Sequence, residues 1–130
     1  KLRLLFDYIV NPPNRVYDQA PEDMIKTFND ILQKTKKMIS SWDGKLYFIY
    51  LPSFQLYSEN QEDINRKRVL NTVKTLQIPI IDIQKEVFDI HPDPISLFPF
   101  KMNGHYTPQG YNLISKIIYK RIDDDGLLSY

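Results

Sequence analysis

Apolar positions along the chain change period several times, and each change marks a structural element. From Pro21 onward Met24, Ile25, Phe28, Ile31, Leu32, Met38 and Ile39 recur at helical spacing on one face. Glu22 and Asp23 at its start, and Lys34, Lys36 and Lys37 toward its end, carry the signs a helix dipole favours. Asp43-Gly44 predicts a turn. Leu46–Leu51 is then continuously apolar and aromatic between Gly44 and Pro52, which predicts a strand buried on both faces. Ser53 to Asn60 reads as a loop. A second helix is predicted over Gln61–Leu76, with Ile64, Val69, Leu70, Val73 and Leu76 facing inward. Pro79–Ile83 reads as a second short buried strand, followed by a short helix over Gln84–Phe88. Residues 89–106 hold Pro92, Pro94 and Pro99 and read as a long loop. The last helix runs from Pro108 to Ile122, burying Tyr111, Ile114, Ile117, Ile118 and Ile122; Thr107 can cap it and Pro108 suits its first turn. At the front, residues 1–10 (KLRLLFDYIV) are apolar without a clear period, and Asn11-Pro12-Pro13-Asn14 breaks regular structure.

The order helix, strand, helix, strand, helix predicts an α/β fold with a parallel sheet flanked by helices. Leu46–Leu51 and Pro79–Ile83 should be neighbouring parallel strands joined by a right-handed crossover. Two strands, or three if residues 1–10 supply one, are few for a sheet that needs cover on both faces. The expectation is either a single small α/β domain over residues 1–130 or the C-terminal half of a larger one.

Composition narrows the chemistry. A net charge of +1 over 130 residues gives no electrostatic case for nucleic acid. The basic clusters Lys34, Lys36, Lys37 and Arg66, Lys67, Arg68 read as solvated helix faces. With no cysteine, disulfides and thiolate catalysis are excluded. Two histidines far apart do not make a zinc pattern, and no cofactor is implied. No apolar run reaches the length of a membrane span. No signal peptide is visible, and a start at Lys1 rather than Met suggests a processed product or a segment of a longer protein, compatible with either side of a membrane.

The candidate chemistry sits in Asn103-Gly104-His105-Tyr106-Thr107-Pro108-Gln109-Gly110-Tyr111. Here a histidine ends an irregular loop directly before a helix, at the edge of a scaffold where reacting groups are displayed. Phe98, Phe100, Tyr106 and Tyr111 around it could wall an acyl or sugar pocket, or simply pin the loop to the core. His91 reads as a loop histidine, Asp82 as a cap for the following turn, and Asp123-Asp124-Asp125 as a solvated helix terminus. Ser53 follows a strand but lacks the glycines of a nucleophile elbow.

From Lys45 onward the order and spacing resemble the C-terminal half of the SGNH (GDSL-type) hydrolases. Lys45–Ser53 is similar to one of that family's buried strands with its following loop, and Ile78–Ile83, with Ile81-Asp82, to the next. The nine residues from Asn103 to Tyr111 are similar to its histidine motif and the Gly-containing start of the last helix. The likeness extends over about residues 21–122. It implies a three-layer, flavodoxin-like α/β domain in which His105 is the general base toward a serine. Asn103 falls where the family's D-x-H pattern has Asp; its carbonyl can accept the imidazole N–H but cannot stabilise imidazolium by charge. The family's G-D-S, oxyanion-hole glycine and asparagine blocks are absent. The resemblance therefore implies a serine nucleophile upstream, in a longer protein.

The implied reaction is acyl transfer on a small-molecule or carbohydrate ester such as an O-acetyl sugar, with no metal or organic cofactor. His105 and Asn103 would act on the reacting groups, and Phe98, Phe100 and Tyr106 would line the substrate. His105 should lie exposed at the carboxyl end of the strands, one ring nitrogen bonded to Asn103 or a loop carbonyl. This chain alone should lack serine-type esterase activity and should pair as a homodimer through its uncovered edge. A degenerate, non-catalytic binding module is the alternative reading. A receiver-like domain would need an acidic cluster after its early strands, which is not found.

Overall fold

A computed structural model describes residues 19–59 and 63–128. The expectation for residues 1–10 lies outside them. Helix α1 (Glu22–Ser40) starts after Pro21 with Glu22 and Asp23 in its first turn and Lys37 in its last. It ends in a turn where Asp43 takes a left-handed conformation, φ 58°. Strand β1 (Phe48–Tyr50) and strand β2 (Ile80–Asp82) form a parallel pair in the register Phe48–Ile80, Ile49–Ile81 and Tyr50–Asp82. Between them lie a short helix α2 (Gln55–Ser58) and helix α3 (Arg66–Thr75). After β2 come one π-helical turn (Gln84–Phe88), two 3-10 turns (Pro94–Leu97 and Pro99–Lys101) and helix α4 (Pro108–Asp124). The chain is thus an α/β protein with a parallel pair at its centre, as the alternation of periods predicts.

The register places the core. Phe48 meets Phe28 of α1 edge-on, with ring centroids 5.9 Å apart. Ile81 lies one step further along the ladder than Ile80, the partner of Phe48, so it points to the opposite face. There Ile81 and Ile83 join Val87, Phe88, Leu97, Phe98 and Ile114 in one buried cluster, with Leu113, Ile117 and Ile118 of α4 packed against it. Helical residues therefore cover both faces of the pair. Helix α3 packs on α1 and on β2, burying Leu70 and Val73.

Several elements are smaller or differently placed than the apolar pattern predicts. The six-residue apolar run contains only three strand residues, and it is not buried on both faces: Ile49 is 37% and Leu51 48% exposed. Among the described residues β1 has one neighbouring strand, which leaves its other edge without a strand partner. The one-faced stripe of α1 contains no buried residue. Within the predicted loop 53–60, Gln55–Ser58 forms a helical turn, because Tyr57 stacks on Phe88 at 5.7 Å and pulls it inward. Tyr111 is half exposed rather than buried. Helix α3 ends with Gln77 left-handed at φ 53°, while Ile78 N–H reaches Val73 and Gln77 N–H reaches Lys74. This is a Schellman ending without its usual glycine, and for that reason the sequence does not announce it.

The basic clusters are not simply solvated faces. Arg68 bonds Glu22 and the Ala20 carbonyl, Lys36 Nζ donates to the Leu76 carbonyl at 2.6 Å, and Asn65 Oδ1 accepts from Ala20 N–H at 2.7 Å. Together they clamp α1 to α3. At the other end Asp125 bonds Lys45 Nζ at 2.8 Å and the Tyr47 hydroxyl, so this acidic terminus ties α4 to the entry of β1. The paired Lys45 ammonium and Tyr47 hydroxyl hold the Asp125 carboxyl below its ordinary range. No helix among the described residues is long and apolar enough to cross a membrane.

Candidate functional site

His105 is positioned by its neighbours rather than by its own ring. On its C-terminal side Thr107 is fixed twice: its N–H donates to the Leu97 carbonyl at 2.8 Å, and its hydroxyl accepts from Gly110 N–H at 3.1 Å, capping α4. Pro108 occupies the first turn. Gly110 is buried against the Leu97 carbonyl, where a Cβ would stand 3.0 Å away. This close approach holds the helix start on the loop. Tyr106 packs its ring against Phe88 and Phe98, both at 5.2 Å, and its hydroxyl donates to the Pro52 carbonyl at 2.6 Å. Pro52 lies two residues beyond β1, so the histidine loop is tied to the carboxyl end of the parallel strands, where ligands bind in open α/β sheets.

On the N-terminal side the loop is held differently. Phe100 and Lys101 are consecutive left-handed residues, φ 55° and 54°. Lys101 Nζ bonds Asp93 Oδ2 at 2.8 Å, bracing the two arms of the loop and holding the Asp93 carboxyl below its ordinary range. His91 Nδ1 accepts from Asp93 N–H at 3.2 Å, the local role its loop position suggests.

The predicted site residues separate into two groups. His105 and Asn103 are both exposed. Among the described residues neither Asn103 nor a loop carbonyl hydrogen-bonds the His105 ring, contrary to expectation. The chain from Met102 to His105 is a run of exposed bends. Phe98 is 2% exposed and Tyr106 is half-buried; both belong to the aromatic core and pin the loop. Phe100, by contrast, is 94% exposed and walls nothing. Thus the structure joins Phe98 with Tyr106, the residue that follows His105 in the chain, and leaves Phe100 apart.

A polar group at the carboxyl ends of the strands is not visible in the motif. Asp82, ending β2, pairs with Arg66 at the first turn of α3, and its Oδ1 accepts from Lys85 N–H at 3.4 Å, so the expected capping role is only part of its work. The Arg66 guanidinium lies over the Tyr50 ring at 5.2 Å, and the Tyr50 hydroxyl bonds Asp63. Arg66 Nε and Gln84 Oε1 are buried without a hydrogen-bond partner among the described residues. Tyr57 lies next to the histidine loop's anchor: its hydroxyl donates to Asp89 at 2.9 Å and its ring stacks on Phe88, which packs on Tyr106. Burial, and then the Asp89 bond, push its phenol well above the ordinary range. Burial likewise pushes Tyr106 up to about 12. Both hydroxyls stay protonated and act as donors. The signal for this group is an Asp at a strand end and an Arg at the start of the preceding helix, a pattern too common to single out.

Among the described residues no three His, Asp or Glu side chains converge to hold a metal. A cavity of about 550 Å³ lined by Ser115, Ile118, Tyr119, Ile122 and Leu128 opens along the second half of α4, away from His105. Comparison of the chain with known protein families, with curated proteins and with solved structures finds no match.

Proposed function

We propose that this chain carries the histidine block of an SGNH-like hydrolase or acyltransferase acting on an ester. The observation that carries this reading is the Tyr106–Pro52 hydrogen bond. It sets an exposed histidine beside the carboxyl end of a parallel pair, on a loop whose following residues are all fixed. In the proposed reaction a serine hydroxyl from elsewhere in the three-layer domain attacks the ester carbonyl and passes its proton to His105. The imidazolium then protonates the departing alkoxide, leaving an acyl-serine that water or a second hydroxyl resolves. Asn103 orients the ring through its carbonyl once the Met102–Gly104 bends adjust around substrate, since catalytic hydrogen bonds often tighten only in the complex. Phe98 and Tyr106 support the site from behind.

A second reading, a catalytically inert binding module, is favoured by one observation: the His105 ring has no orienting partner among the described residues. Turnover of p-nitrophenyl acetate by the protein that carries this chain separates the two. The enzyme reading expects fluorophosphonate-sensitive turnover that His105→Ala lowers by roughly 10³-fold or more. It also expects Asn103→Asp to raise kcat, by supplying the missing charge, and the isolated 130-residue chain to show no inhibitable turnover. Turnover unchanged in His105→Ala, or no fluorophosphonate labelling at all, would instead leave the binding module.

A further inference from the structure

The exposed apolar residues of α1 are not scattered. Met24, Ile31 and Met38 are 59%, 57% and 55% exposed and are spaced by seven. Seven residues are nearly two helical turns, so the three lie in one seam along the helix, beside the face that meets α3 and β1. The seam is symmetric about Ile31, with a methionine seven residues to either side. The exposed charges on one flank of it are unevenly divided: Asp23 and Asp30, with Lys26 further round, lie in the N-terminal half, and Lys34 and Lys37 in the C-terminal half.

We infer that this seam is the interface with a second copy of the chain, packed antiparallel about a two-fold axis at Ile31. A two-fold interface is self-complementary, so one surface must present both halves of every contact. The symmetric spacing does this for the apolar residues: Ile31 meets Ile31 of the copy, and each Met24 meets Met38. Asp23, Asp30, Lys34 and Lys37 do it for one flank. Reversal brings the acidic half of each helix against the basic half of the other, with Asp23 alongside Lys37 at both ends. In a parallel pair the same flanks would lie on opposite sides of the interface, and these charges would not meet. Seven-residue spacing of apolar side chains is the repeat by which two helices interlock side by side. The methionines suit a seam that must accommodate its own reversed copy, being unbranched and adaptable.

The chain has no cysteine, so single introduced thiols report the geometry without interference. In the 130-residue chain, Ile31→Cys should link to itself through a short bis-maleimide at micromolar concentration. Met24→Cys alone should not, because in the antiparallel pair its copy lies about 21 Å away along the seam; adding Met38→Cys should restore linking. Light scattering should show a dimer whose dissociation constant rises by about 100-fold in Ile31→Asp, where two carboxylates meet on the axis. Far-UV circular dichroism should be unchanged, since position 31 is exposed in the monomer. Asp23→Lys and Lys37→Asp should each weaken the dimer, and their combination should recover it. A monomer at all concentrations, self-linking of Met24→Cys as in a parallel pair, or a dimer indifferent to Ile31→Asp would overturn the proposal. The first of these outcomes would assign the seam to another segment of the protein.

Discussion

Helix α1 and the segment from Ile78 to Ile114 have comparable apolar content but opposite fates. Among the described residues, eight of the ten buried apolar side chains lie in that segment, and the other two, Leu70 and Val73, in α3 just before it. Nineteen residues of α1 bury none. Before Pro108 the segment is a three-residue strand, short turns and loop, yet it is the centre of the molecule. α1 is a long regular helix, yet its apolar stripe is only half covered. Regularity comes from local propensity and capping, whereas burial comes from what neighbours the fold supplies. The two strands among the described residues supply few.

The sharpest test of this contrast substitutes one large residue on each side. Phe88 is fully buried and contacts Tyr57, Phe98 and Tyr106. Phe88→Ala should cost about 3–5 kcal/mol in urea unfolding, a large fraction of a small domain's stability. Ile31→Ala, measured below the concentration at which chains associate, should stay within about 0.5 kcal/mol. Equal losses would show that α1 is an integral part of the core.

A smaller effect is expected at Gly110. Alanine there would press on the Leu97 carbonyl and the Tyr106 Cβ, at 3.0 and 3.1 Å. Neither can retreat, since the carbonyl already accepts from Thr107 and the Tyr106 ring is packed. Overpacking should outweigh alanine's better helix propensity, for a net loss of about 1–2 kcal/mol. A gain in melting temperature would show that the helix start floats free of the loop.

The smallest effect, and the most informative about the site, is Tyr106→Phe. Losing the bond to Pro52 should cost about 1 kcal/mol at pH 8. The penalty should shrink as pH rises. Burial favours the neutral phenol in the folded chain, so Tyr106 contributes stability that is complete below the unfolded tyrosine value near 10 and is lost as pH rises through about 12. Urea unfolding of both proteins at pH 8 and pH 11 gives the comparison. Parallel losses of stability with pH would mean that Tyr106 is solvated.

Much of the fold is legible because it rests on local rules. The helix starts at Pro21 and Pro108, the Thr107 cap and the parallel pairing follow from residue type and order. What is not legible depends on contacts distant in sequence. Nothing in Leu46–Leu51 reveals that one side of the run stays exposed. Nothing near Arg66 or Arg68 reveals that they meet Asp82 and Glu22 rather than solvent. At the site, the motif identifies the loop and its anchors, but apolar type alone does not distinguish buried Phe98 from exposed Phe100. That difference arises from the left-handed backbone at Phe100, which turns its ring outward.

The Tyr106–Pro52 bond also has a kinetic side. Its partners are 54 residues apart. Bringing such distant groups together costs chain entropy before the contact returns anything. Pairing of β1 with β2 already closes most of that loop, because Pro52 follows β1 directly and Tyr106 stands on the compact segment after β2. The bond therefore forms within a chain whose ends have already met, as a late latch rather than a nucleus. In the same Tyr106→Phe variant the lost stability should accordingly appear as faster unfolding, with the folding rate almost untouched. An unchanged unfolding rate in that variant would instead place the contact in the folding nucleus.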